Sequence, residues 1–193
     1  MRSADRRGIL AELDAQIHVC GLCRLSESRT NAVPGEGSAS AKVMFVGEGP
    51  GEQEDLQGRP FVGAAGRLLD ELLVGIGLQR TDVFITNVVK CRPPGNRDPF
   101  TDEIEACHDY LLAQIATITP KVICALGRFA LGVLISDKLK ISSVHGRAFR
   151  KSGMLYVPIY HPAAALHNEN LRSELSGDFH TLAELLQSEP PSL

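Results

Sequence analysis

The chain has 193 residues, 44% of them hydrophobic and 22% charged, with a formal net charge of −3. That length supports one domain with a core sufficient to fold without disulfides, and no global excess of base marks it as a nucleic-acid binder. No apolar run approaches the roughly 18 residues a transmembrane helix needs, which predicts no membrane partner. The start, MRSADRRGILAELDA, is charged throughout and predicts no secretory leader, hence a cytoplasmic protein. Five cysteines, an odd number without an export signal, point to thiols or metal ligation over disulfides.

Residues 4–19 read as an amphipathic helix with Ile9, Leu10, Leu13 and Ile17 on one stripe. The stretch 20–40 is rich in Gly, Ser and Pro and reads as loop. KVMFVGE (42–48) ends in glycine after a short apolar run, the pattern of a buried parallel strand. A helix follows over 64–77, then a second strand, DVFITNVV (82–89). After a proline-bearing loop a helix starts near Thr101, where Asp102, Glu103 and Glu105 suit its positive end. KVICALG (121–127) is a third strand, and a helix through Leu131 and Leu134 succeeds it. MLYVPIYHP (154–162) is a fourth, and 169–187 closes the chain as a helix.

Strands alternating with helices imply right-handed crossovers. The fold class is therefore α/β: a three-layer α/β/α sandwich around a central four-stranded, mainly parallel sheet. Its N-terminal segment would be clipped by a four-cysteine metal site. One domain would span 1–193, with 188–193 a loose tail. Ligands in such sheets sit beyond the C-terminal strand ends. Here those ends are Gly47-Glu48-Gly49, Thr86-Asn87, Ala125-Leu126-Gly127 and Tyr160-His161-Pro162. They are also the segments richest in unusual residues.

Cys20 and Cys23 form a C-x2-C pair, and Cys91 and Cys107 complete a four-thiolate set. Tetrahedral zinc and an iron–sulfur cluster both take four thiolates, so spacing leaves the two open. Cys124, inside an apolar strand, reads as a plain buried thiol. GEGPGEQEDLQGRPFVG (47–63) follows a strand but lacks the Lys-Ser/Thr of a P-loop. Its acids would repel phosphates; glycines that admit close backbone approach and carboxylates near a cationic transition state suit it better. Phe61 could serve the core or stack on a planar base. Asn87 offers a donor and an acceptor together, which suits reading a base edge. Residues 121–151 carry seven Lys or Arg against one acid, and Lys90, Arg92 and Arg97 add to that basic half. A basic half beside an acidic pocket suits a phosphate backbone running past a site.

The combination GEGPGEQEDLQGRPFVG, ITNVVKCRPPGNR, the four cysteines and YHPAAAL resembles the family 4 uracil-DNA glycosylases, the iron–sulfur members of their superfamily. The resemblance runs from about Cys20 to Ser188. It implies a [4Fe-4S] cluster on Cys20, Cys23, Cys91 and Cys107, with a structural role. It implies excision of uracil from single- or double-stranded DNA, in base excision repair, after the base is flipped out of the stack. Phe61 would stack on uracil, Asn87 would read its O4 and N3–H edge, and Glu54 would exclude a thymine methyl. His161 would hydrogen-bond O2 as negative charge builds, an interaction of about 3 to 4 kcal/mol by analogy with oxyanion holes. Backbone groups at Glu48 and Gly49 would line the pocket, and either Glu48 or the backbone would serve the water, since the side chain that positions it in other branches is missing at Gly49. Ala165 or Leu166 would wedge into the DNA, with Arg92 and Arg147 as further DNA contacts. The enzyme would work as a monomer, nucleoid-associated when acting, with a sliding clamp as a further candidate partner.

The sequence departs from the family after HPAAAL, where His167-Asn168-Glu169-Asn170 replaces a common Arg-Asn-Pro. Three other functions fit parts of the sequence. A relative that traps itself on the sugar needs a basic insertion with a histidine after Arg97, and here Asp98-Pro99-Phe100 follows directly. A binding module with a dead pocket has no need for Phe61, Asn87 and His161 together. A magnesium-dependent nucleotide hydrolase would use the acidic loop and would fail in chelator.

Overall fold

The structure is a computed structural model that describes residues 3–151 and 153–188. The expected loose tail lies, from residue 189 on, outside the described residues. In chain order the elements are α1 (Ser3–His18), α2 (Leu25–Ser28), β1 (Glu36–Gly37), β2 (Val43–Gly47), α3 (Glu52–Gln57) and α4 (Ala64–Gly75). They continue as β3 (Phe84–Asn87), a 3-10 turn at Pro94–Asn96, α5 (Thr101–Ile118), β4 (Val122–Leu126), α6 (Gly127–Leu134) and α7 (Ile141–Val144). The last are β5 (Phe149–Lys151), β6 (Met154–Ile159), α8 (Pro162–Ala165) and α9 (Glu169–Gln187).

The strand order is β1-β3-β2-β4-β6-β5. The inner four strands are mutually parallel, while β1 and β5 lie antiparallel on the edges. The expected four-stranded sheet is thus corrected to a mixed sheet of six strands among the described residues. The two additions are short and carry no apolar alternation, which is why periodicity passes over them. On the outer edge, β5 presents Arg150 and Lys151, charges that discourage pairing with another chain.

The inner strands are buried on both faces, as a parallel sheet between helices requires. Met44, Val46, Ile123 and Ala125 pack under α1, α5 and α6. Val43, Phe45, Ile85 and Val157 pack under α4 and α9. Phe45 stacks on Phe179 of α9 with ring centroids 5.7 Å apart, and burying a ring of that size contributes about 1.5 to 3 kcal/mol. On α1, Leu10 and Ile17 are buried and Leu13 packs beside them. Ile9 departs from the expected stripe and is 37% exposed. Arg6 ties α1 to the C-terminus of α5, donating to the Ile118 carbonyl at 3.0 Å and to Thr119 Oγ1 at 2.8 Å. Among the described residues, no helix is long and apolar enough to cross a membrane.

Candidate active site

The C-terminal ends of β2, β3 and β6 open into a cavity of about 290 Å³. That is at the small end of ligand pockets and suits a single planar ring. Glu48, Gly49, Glu54, Phe61, Asn87 and His161 all line it, so six residues singled out in the sequence converge on one space.

Asn87 ends β3 and is 1% exposed. Its Oδ1 is buried and has no hydrogen-bond partner. An orphaned buried acceptor costs about 1 to 3 kcal/mol, which a ligand N–H would recover. Opposite stands Phe61, 5% exposed and at φ +52°, a left-handed conformation that non-glycine residues rarely adopt. Two features hold it there. Arg80 donates to the Phe61 carbonyl at 3.0 Å and the Pro60 carbonyl at 2.6 Å, while Glu36 and Asp70 anchor the guanidinium. Gly66 lets the Phe61 carbonyl approach so closely that a Cβ there would lie 1.8 Å from its oxygen.

His161 caps α8, its Nδ1 accepting the Ala163 N–H at 3.2 Å. With Nδ1 occupied as an acceptor, the ring proton belongs on Nε2. Burial pushes the imidazole down to about 4, with the Glu54 charge opposing, so it is neutral near pH 7. Its ring lies 5.5 Å from that of Phe61.

The acidic loop divides into structural and free carboxylates. Glu54 accepts from the Val62 and Gly63 N–H groups, both at 2.8 Å, and from Gly51 at 3.1 Å. It therefore ties the loop that carries Phe61 to the start of α4. Asp55, 3% exposed, accepts from the Thr30 and Asn31 N–H groups. Glu48 keeps its carboxylate at the cavity wall, raised above the ordinary range by burial and by Asp98, with Arg128 opposing.

Asn96 and Arg97 also line the cavity and were not singled out as pocket residues in the sequence. Asn96 stands at φ +55° after Gly95, and its Oδ1 accepts from Arg92 Nε at 2.7 Å. Arg97 forks onto Glu103 at 2.7 and 2.8 Å and lies 3.8 Å over the Phe100 ring. The signal available was a Gly-Asn pair in a proline loop, which reads equally well as a plain turn.

The surface residues expected to meet DNA fare unevenly. Arg147 is exposed, and Arg92 is half-buried beside Asn96 and Glu52. Ala165 is 2% exposed and packs in the core with α4 and α9, its side chain turned inward. Leu166 is half-buried against the same core, whereas Ala163 and Ala164 are exposed. One turn of helix explains this, since α8 turns Ala165 inward.

Cys20, Cys23, Cys91 and Cys107 line a second, smaller cavity between α1, α5 and the turn after β3. Arg29 donates to Cys91 Sγ at 3.0 Å, the Lys90 backbone N–H to the Cys107 sulfur, and Tyr110 bonds Cys20. Donors aimed at three of the sulfurs suit thiolates. Burial pushes the Cys107 thiol up to about 11 and raises Cys91, so ionising them calls for a cation. The donor set thus fits a thiolate-bound metal group. Among the described residues, no three His, Cys, Asp or Glu side chains are gathered as a site for an ion. The expected four-cysteine metal site therefore extends, in the structure, to four thiols lining one cavity. Cys124 is apart in β4, fully buried.

The family model of the uracil DNA glycosylase superfamily matches residues 34–181. A type-4 uracil-DNA glycosylase of Archaeoglobus fulgidus is 46% identical, over 95% of this chain and 96% of its own. Another, of Sulfurisphaera tokodaii, is 50% identical over 91% of this chain and 84% of its own. A type-5 uracil-DNA glycosylase of Pyrobaculum aerophilum is 30% identical over 80% of this chain and 74% of its own.

Proposed function

The chain belongs to the uracil-DNA glycosylase superfamily, in its type-4 branch, and on that premise we propose how it excises uracil from DNA. The enzyme hydrolyses the N-glycosidic bond of deoxyuridine, releasing uracil and leaving an abasic site for repair. The observation that carries the reading is the buried, unpartnered Asn87 Oδ1 in a cavity of one-ring size.

A uracil flipped into that cavity gives its N3–H to Asn87 Oδ1 and receives the amide N–H at O4. Cytosine presents the reverse order, acceptor at N3 and donor at N4, and would set like against like. Phe61 supplies the stacking face. Glu54 holds the loop and, at the cavity wall, would stand against a methyl at C5.

As the bond lengthens, negative charge moves into the base and positive charge onto the sugar. The neutral His161 donates its Nε2 proton in a hydrogen bond to O2. Because the ring is already neutral and already oriented by Ala163, it needs no reorganisation in the transition state. Glu48 places a carboxylate where the sugar becomes cationic. The attacking water would be held by Glu48, with the Asn96 amide N–H beside it, since Asn96 Oδ1 already accepts from Arg92.

The four thiols suit a [4Fe-4S] cluster, which when bound serves as a clip between the N-terminal segment and α5. The type-4 membership and the shared cavity support it; iron with acid-labile sulfide in the purified protein would agree, and zinc alone would overturn it. Exposed Arg147, half-buried Arg92 and the Ala163–Leu166 turn would meet the strand. The enzyme would act as a monomer on cytoplasmic, nucleoid DNA. The whole of 1–193 is read as one glycosylase domain.

The test is a denaturing gel of end-labelled DNA carrying one uracil, incubated in chelator and then treated with hot alkali. Scission at the uracil is expected. A shifted band before alkali would mean a covalent adduct, and uncut DNA would overturn the reading.

A further inference from the structure

Lys90 is 1% exposed, and none of its polar groups is idle. Its Nζ donates to the Asn87 carbonyl at 2.7 Å, to Thr86 Oγ1 at 2.7 Å and to Gln114 Oε1 at 2.8 Å. That exhausts the three donors of an ammonium. Its backbone N–H bonds the Cys107 sulfur, and its carbonyl accepts from Val33 at 2.7 Å. Thr86 and Gln114 are anchored in turn on the Pro34 carbonyl, at 2.6 and 2.9 Å. Lys90 also lines the cavity of the four cysteines and is absent from the lining of the base cavity.

A buried ammonium is costly, and an apolar side chain would fill the same space at less expense. Strand geometry shows what the Nζ donor achieves. The Val88 N–H bonds the Gly47 carbonyl, so Val88 faces β2 and the Asn87 carbonyl faces the opposite side. There β1 reaches only as far as Ile85. The carbonyl of the residue whose side chain reads the base would thus be left without a strand partner, and Lys90 Nζ takes the vacant place.

We propose that Lys90 is a positioning residue for uracil selectivity: it fixes the Asn87 peptide against the cysteine-lined lobe, so that base discrimination depends on a lobe that never touches the base. The inference rests on the uracil-excision reading above. It makes the cysteine centre matter to recognition through mechanics, with no electron transferred and no bond formed.

The experiment measures binding of the holoprotein to two otherwise identical oligonucleotides. One carries 2′-fluoro-2′-deoxyuridine, whose fluorine disfavours the cationic sugar and so blocks cleavage; the other carries deoxycytidine. The ratio of the two dissociation constants is read together with iron content and thermal midpoint. Lys90→Met is expected to narrow that ratio about tenfold, while binding of the cytosine strand and iron content hold, because a buried acceptor loses its donor. Gln114→Glu keeps an oxygen on Nζ but gives up the Nε2 bond to the Pro34 carbonyl, so it should retain more of the ratio than Gln114→Leu, which removes both contacts.

Retention of the ratio in Lys90→Met, whatever its thermal midpoint, would overturn the proposal. So would loss of stability with both Gln114 variants discriminating alike, since that is what a purely structural network gives. Should Lys90→Met not fold, the Gln114 pair decides between these outcomes. If the wild-type protein itself shows no preference for the fluorouridine strand, the uracil reading fails instead.

Discussion

Gly47 and Asn87 lie so close at the paired ends of β2 and β3 that a Cβ on Gly47 would stand 2.4 Å from Asn87 Oδ1. The same Cβ would stand 2.7 Å from Cζ of Phe61. The glycine is therefore the space in which the reading amide and the stacking ring face each other. Gly47→Ala is expected to push both aside while leaving the strand intact. A displacement of about 1 Å at such a site costs on the order of 10²-fold. The check is kcat/KM on uracil DNA beside the thermal midpoint, with activity lost far out of proportion to stability.

His161 gives a pH dependence whose direction follows from burial. Its folded value, about 4, lies below the ordinary 6.5, so the unfolded chain takes up the proton first as pH falls. The stability this residue supports is complete above about pH 6.5 and declines between there and about 4, below which it is flat. Protonation would also remove the Nδ1 acceptor that caps α8. The acid limb of kcat should accordingly fall near pH 4 and not near 6.5. His161→Ala should cost about 10² to 10³ in kcat, as loss of an oxyanion-hole donor does. A wild-type acid limb near pH 6.5 that persists in Glu48→Gln would show that the ring is not held neutral.

The long elements were legible because their physics is local. The inner strands read as continuous apolar runs, and the helices between them as periodic ones. Gly47, Asn87 and His161 could be placed together because parallel strands all end on one side. What escaped was chemistry set by tertiary partners. The pair Glu36–Gly37 becomes β1 only because β3 offers an edge, and Ile141–Val144 and Pro162–Ala165 are single turns below the reach of periodicity. Glu54 and Asp55 look like free acids in the sequence, yet the folded loop spends them on backbone N–H groups. Lys90 looks like part of a basic half, although it never sees solvent.

The short helix after His161 separates two alanines that the sequence treats alike. Ala164 is exposed, and Ala165 is buried under α4 and α9. Ala164→Glu should leave the thermal midpoint unchanged and weaken binding to single-stranded DNA by adding a charge against phosphate. Ala165→Glu should destabilise by several kcal/mol, the order expected for an unpaired buried charge. Thermal unfolding and a binding titration on both variants decide the matter. Equal destabilisation of the two would mean that the turn packs differently.

Phe61 supplies the last test, because its backbone is held against its own preference. The left-handed φ of +52° costs about 1 to 3 kcal/mol in a residue with a side chain. Arg80 opposes that strain with two hydrogen bonds to the Pro60 and Phe61 carbonyls, and the fork geometry is specific to a guanidinium. Arg80→Lys keeps the charge near Glu36 and Asp70 but cannot bridge both carbonyls and both carboxylates at once. The loop should then relax and turn the ring from the base. We expect KM on uracil DNA to rise about tenfold, with kcat changed less, since stacking contributes to binding on the order of 1 to 3 kcal/mol per base. The thermal midpoint should fall by about 2 to 4 °C for each kcal/mol lost. An unchanged KM with a lowered midpoint would confine Arg80 to the fold and leave Phe61 held by Gly66 and its packing alone.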